Sequence, residues 1–230
     1  MKLPTVVVPE FELEVPGMKK DIKFRPFLVK ENKVLTLALE SGEIEDQVRA
    51  IQQVVKNCSF GVIDSEELPL YQLQWIFLKL KSKSVGDFQS FVLACGHCEA
   101  KINYDMDIND FQIYGNIEET NKKVEITDTA GVVFKYPPAL IQANSSNVDD
   151  NDLIYECIDY IYNDQEVVKK EDISVEELTE WIEGMPITFT EKVAGFFENM
   201  PLLGHRVEYK CNECEKENVV AINGYEHFFV

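Results

Sequence analysis

An α+β fold is predicted, with an N-terminal helical region and short strands packed on a four-cysteine ribbon that an α/β insertion splits in two. Three observations lead there. Two Cys-x-x-Cys stretches, "LACGHCEA" (93–100) and "YKCNECEK" (209–216), each sit between strand-like flanks, with apolar and polar residues alternating after the first. Three helical windows lie upstream, one opened by a proline, one with apolar residues at four- and three-residue steps, and one apolar on much of its circumference. Between the two cysteine pairs lie further hairpin signals and helix starts. The expected organisation is residues 1–86 as N-terminal strands and helices, 87–112 with 205–230 as the split ribbon, and 113–204 as an inserted hairpin and helical subdomain.

Along the chain, 5–25 reads as two short strands, "TVVV" and "DIKFR", around the turn-like "VPGMKK". Pro26 suits a first helical turn, so a helix is expected from there to the residue before Gly42. A second helix over 43–58 places Ile44, Val48, Ile51, Val55 and Cys58 on one stripe. A third, over 69–82, is apolar on much of its circumference through Leu70, Leu73, Trp75, Ile76, Phe77, Leu78 and Leu80. Such a helix is central to the core or packed against another chain, and the core is favoured. Its basic end, "KLKSKS", reads as solvated.

The first ribbon hairpin is expected at 87–109, where Ile102, Tyr104, Met106 and Ile108 alternate with polar residues. In the insertion, "KKVEITD" and "GVVFKYP" flank a Thr-Ala-Gly turn and form a hairpin. A helix follows at 151–162, with Cys157 in line with Leu153 and Ile161. Ser174 with Glu177, and Thr188 with Glu191, have the spacing of capping boxes and start two more helices, separated by Gly184 and Pro186. The last hairpin runs over 205–230.

The chain has 230 residues, enough to bury a real core. It carries 22 Lys and Arg against 41 Asp and Glu, a net charge of −19, which disfavours nucleic acid as a partner. Such acidity suits a solvated surface or a partner with a basic face. The densest apolar run, "LQWIFL" (73–78), is far too short to cross a bilayer, and the N-terminus lacks the pattern of a secretory signal. Synthesis in the cytoplasm is expected. There is no Gly-rich phosphate loop, no G-x-S-x-G elbow and no His-rich cluster, so no residue stands out as catalytic.

Of the six cysteines, Cys58 and Cys157 fall on apolar stripes and read as core. The other four, Cys95, Cys98, Cys211 and Cys214, form two pairs with 112 residues between them. Two knuckles on hairpin tips can bring four thiolates around one structural Zn2+ and leave no open position for a substrate. His97, inside the first knuckle, is expected to face solvent; His205 and His227 show no partner pattern. The alternative is a thiol–disulfide oxidoreductase using the CGHC of Cys95 and Cys98, whose first cysteine would need a helix N-terminus to lower its pKa. The strand-like sequence on both sides argues against it.

Several stretches resemble the baseplate hub subunit or hub assembly protein family of T4-like bacteriophages. They are "KFRPFLVKENKVLTLALES" (23–41), "AIQQVVKNC" (50–58), "LPLYQLQWIFLKLKSKSVG" (68–86), "ACGHCEAKI" (94–102) and "YKCNECEKENVVAI" (209–222). The resemblance spans roughly 1–110 and 200–230. It implies a non-enzymatic part in the central hub of a contractile tail, as assembly factor or structural subunit. The implied partners are other hub or tail proteins, the tape measure among them, with self-association left open. The implied location is the infected host's cytoplasm and the virion tail baseplate. Cys95, Cys98, Cys211 and Cys214 carry over as zinc ligands. Two surfaces are candidates for contact, the helix at 69–82 and the aromatic C-terminus "GYEHFFV" (224–230).

Overall fold

A computed structural model describes residues 7–117, 122–145 and 150–224, with the side chains of 150 and 151 left aside. The chain forms two compact units, one from 1–65, 71–114 and 202–230, the other from 66–70 and 115–201. Helices and antiparallel strands make the fold α+β, as expected.

In the first unit, β1 (Phe11–Leu13) pairs with β2 (Ile22–Phe24). The first strand therefore lies beyond the "TVVV" stretch, of which only Val7 and Val8 are described and neither is in a strand. Burial explains the shift: Val7 is 91% exposed, whereas Phe11 stacks on the fully buried Phe24 at 6.2 Å.

Helix α1 (Val29–Ser41) starts three residues later than Pro26 suggested. Arg25 takes the Pro26 carbonyl (3.0 Å) and pairs with Glu31 (2.9 Å), while the Glu31 carboxylate accepts the Leu28 N–H (2.8 Å). Glu31 thus caps the helix one turn in. Burial alone would raise its pKa, but the bonds from Arg25 and Leu28 outweigh it and hold the carboxyl below the usual range. Gly42, at φ 74°, ends the helix in the left-handed conformation that glycine adopts without strain.

Helix α2 (Ile44–Cys58) buries Val48, Ile51, Val55 and Cys58, while Ile44, on the same stripe but in the first turn, is 41% exposed. Burial pushes the Cys58 thiol up to about 11, an inert core group. Helix α3 (Leu70–Val85) is the centre of the core: Leu73, Ile76, Leu78 and Leu80 are all fully buried. Its basic end departs from the solvated expectation. Lys79 bonds Asn109 at 3.0 Å and lies over the Trp75 ring, while Lys81 is 9% exposed and donates to Gln89.

Burial brings the Lys81 ammonium down to about 8. Above that pH and below the ordinary lysine value, the unfolded chain keeps a proton that the folded chain sheds, so stability rises with pH. The melting temperature of the wild type, measured against Lys81→Met, should climb from about pH 8 to about pH 10. A difference that stays flat across that window would refute the assignment.

A two-stranded hairpin follows, β3 (Phe88–Ala94) with β4 (Lys101–Asp107), and then β5 (Gln112–Tyr114). After Tyr114 the chain enters the second unit. There β6 (Lys123–Glu125), β7 (Gly131–Phe134), β8 (Ile158–Tyr162) and β9 (Val167–Lys169) form an antiparallel sheet in sequence order. The β6–β7 hairpin was expected. Gly131 is required by its register, since a Cβ there would lie 2.6 Å from the Val124 carbonyl.

Two short helices, α4 (Ala139–Ala143) and α5 (Asp150–Cys157), precede β8. The helix expected over 151–162 therefore ends at Cys157, and its second half is a strand. Ile158, Tyr160, Ile161 and Tyr162 are β-branched or aromatic; β7 pairs all four, and β9 pairs the last three on the other side. The turn into β9 is made by Asn163, whose side chain accepts the N–H of Gln165 and of Glu166 at 2.8 and 2.9 Å. Cys157 is fully buried, as expected, and burial pushes its thiol up to about 12.

Ser174 and Glu177 form the expected capping box of α6 (Val175–Glu183). The second box does not form. Helix α7 (Ile187–Glu198) is entered from Pro186, whose carbonyl accepts the Phe189 N–H at 2.8 Å, and Thr188 falls inside the helix. Phe189, Val193 and Phe196 face inward, and Phe196 stacks on Phe134 and Tyr136 at 4.8 and 5.6 Å.

The chain returns to the first unit in β10 (Leu202–Lys210), the centre of the sheet β11–β10–β5, where β11 is Glu217–Asn223. Leu202 pairs with Tyr114, so the two strands that bound the insertion are hydrogen-bonded neighbours. Of the last hairpin expected at 205–230, the strands reach Asn223; His227 and all of "GYEHFFV" beyond Gly224 lie outside the described residues.

Candidate metal centre

Both Cys-x-x-Cys pairs occupy the turn of a β-hairpin, and the two turns are built alike. The hairpins close at Ala94↔Lys101 and at Lys210↔Glu217. Inside each, the first cysteine's N–H bonds a carbonyl five residues on, Cys95 to Ala100 and Cys211 to Lys216, both at 2.9 Å. Its own carbonyl accepts the N–H four residues on, from Glu99 at 2.9 Å and from Glu215 at 3.0 Å. Glu99 and Glu215 take the same left-handed conformation, φ 60° and 57°. Such a backbone costs a residue other than glycine on the order of 1 kcal/mol, and strain repeated at matched positions marks a site.

The four sulfurs converge. Cys95 Sγ lies 3.7 Å from Cys214 Sγ and Cys98 Sγ 3.6 Å from Cys211 Sγ, and all four ligand atoms fall within 4.8 Å of one another. An ion held at about 2.3 Å by four thiolates sets the edges of the sulfur tetrahedron near about 3.8 Å, so donor type and spacing both fit zinc. Cys95 and Cys211 are buried, Cys214 is half-buried and Cys98 is exposed. The N–H of His97, 3.4 Å from Cys95 Sγ, draws the Cys95 thiol down to about 6, while Cys98, despite the bond from the Ala100 backbone, is pushed up to about 12 by hydrogen bonds among the crowded thiols.

Two side chains tie the knuckles together. Asn218, 8% exposed, accepts the Gly96 N–H at 2.9 Å and donates to the Lys216 carbonyl at 3.0 Å. Tyr209 donates its hydroxyl to the Ala94 carbonyl at 2.8 Å. The sequence reading missed both, although Asn218 occupies an inward position of β11, where a polar residue is itself a signal.

His97 is exposed and outside the cluster, and His205 sits against Phe111 with Nδ1 3.1 Å from the Asp110 carbonyl. Cys58 and Cys157 stay apart from it as core residues. A cage of four cysteines can close the coordination sphere of one ion and hold two hairpins in register. The CGHC motif leads into a strand and not a helix, so the dipole that activates a redox cysteine is missing from it.

Among the described residues, no helix is long and apolar enough to cross a membrane. A family model described as T4 bacteriophage base plate protein matches residues 8–230, nearly the whole chain. No curated protein and no solved structure matches it.

Proposed function

We propose a role that proceeds from one premise: the chain belongs to the T4 bacteriophage base plate protein family. Membership makes it a structural protein of the phage tail baseplate, in contact with other baseplate proteins. Within that role, it is a non-enzymatic hub protein, either a subunit of the hub or a factor that assembles it. Cys95, Cys98, Cys211 and Cys214 hold one structural zinc, which staples the ribbon formed by 87–112 and 205–230. The N-terminal strands and helices of 1–86 then offer a contact surface to a hub component. Hub proteins, the tape measure and a second copy are the partner classes, met first in the host cytoplasm.

The observation that carries this reading is the family match across both cysteine pairs and the insertion between them. The closed sulfur cage supports it, because a metal without an open position holds structure and leaves catalysis unassisted. Mass spectrometry of purified virions and of hub assembly intermediates tests it. A subunit is found in both, an assembly factor in the intermediates alone, and absence from both would refute the role. No finding favours the oxidoreductase alternative.

A further inference from the structure

One groove of the second unit, about 480 Å³, is walled by Ile161 and Val168 of the sheet, by Leu178 and Trp181 of α6, and by Met185 beyond it. These apolar and aromatic groups form a floor, and the rim is acidic. Glu166, in the turn before β9, and Asp172, before α6, are both exposed carboxylates on its edge. Neither side chain has a hydrogen-bonding or cationic partner among the described residues. A third acid, Glu177, is engaged in the cap of α6 with Ser174. Among the described residues no lysine or arginine lines the groove; Lys123, which lies over the ring of the wall residue Tyr162, is paired with Glu125 at 2.9 Å. Beside it β9 is the edge strand of its sheet, paired on one side alone among the described residues.

We infer that this groove is a docking site for a basic, apolar segment of another baseplate protein, with lysine or arginine side chains meeting Glu166 and Asp172 and their apolar neighbours filling the floor. The proposal rests on the baseplate role and names the chemistry of one partner in it. Charge complementarity selects this occupant. Two unpaired carboxylates around an apolar floor repel an acidic chain, and a second copy, at −19, brings a net charge of the same sign. The long-range field of the chain acts in the same sense, drawing in a cationic segment before contact.

Two labelled peptides test it, equal in length and apolar content, one with lysine and the other with glutamate at the intervening positions. Each is titrated against the full chain by fluorescence anisotropy at low and high salt. The lysine peptide is expected to bind with an affinity that falls as salt rises, and at least about tenfold more weakly to the double variant Glu166→Lys with Asp172→Lys. The glutamate peptide is expected not to bind. Both positions are exposed, so the double variant keeps its fold, which circular dichroism checks. Equal binding of the two peptides, binding unchanged in the double variant, or no binding at all overturns the inference. Detection of the chain in virions or hub intermediates reads the baseplate role separately, so either idea can fail while the other stands.

Discussion

Cys211→Ser is expected to release the metal, about one zinc per chain by elemental analysis of the wild type, and to loosen the ribbon. The loss is large because the site joins segments far apart in sequence: Cys98 Sγ and Cys211 Sγ, 3.6 Å apart, come from different hairpins. Structural zinc contributes on the order of 10 kcal/mol to modules folded by metal alone. Here part of the ribbon is held by other means, through β10 pairing with β5 and through Tyr209 and Asn218, so the loss should stay below that figure. Amide exchange should rise first in β3, β4 and the knuckles, while α2 and α3 keep their protection. A strong chelator should reproduce the effect on the wild type and do nothing further to the variant. Unchanged melting, with zinc absent from both proteins, would remove the metal centre.

Glu31→Gln is expected to destabilise the chain by about 3 kcal/mol, the low end of the range for breaking a buried ion pair. Glu31 is 1% exposed, and the substitution leaves the Arg25 guanidinium beside a neutral amide. Arg25 is 13% exposed and keeps some hydration, which places the effect at that lower end. The same pair makes stability depend on acid. The Glu31 pKa is lower folded than unfolded, so its contribution is complete above the unfolded carboxylate range and fades as pH falls through the folded one. Denaturant titrations at neutral and acidic pH should show the gap between wild type and Glu31→Gln closing in acid. A gap that persists would mean that shape, and not charge, sets the cost.

What the sequence made legible was chemistry at fixed spacing. Four cysteines in two pairs, the stripe of α2, the all-round apolarity of α3 and the Ser174–Glu177 box each depend on residues near one another in the chain. The misreadings concern partners brought in from elsewhere. Residues 158–162 take strand form because β7 and β9 flank them, which no local pattern declares. Lys81 is buried beside Gln89 eight positions on, although its stretch reads as solvated. The start of α1 is set by Arg25 reaching Glu31 across Pro26, so the proline signal pointed too early. At the candidate site the sulfurs were foreseeable and the Asn218 bridge was not, since its bond to Gly96 spans 122 positions.

That asparagine reaches the cage without contributing a sulfur to it. Its Oδ1 accepts the Gly96 N–H and its Nδ2 donates to the Lys216 carbonyl, so one side chain fixes the backbone of both turns. The spacing of the four thiols is therefore governed in part by a residue that carries none of them, and a change at position 218 should disturb all four ligands while leaving each in the sequence.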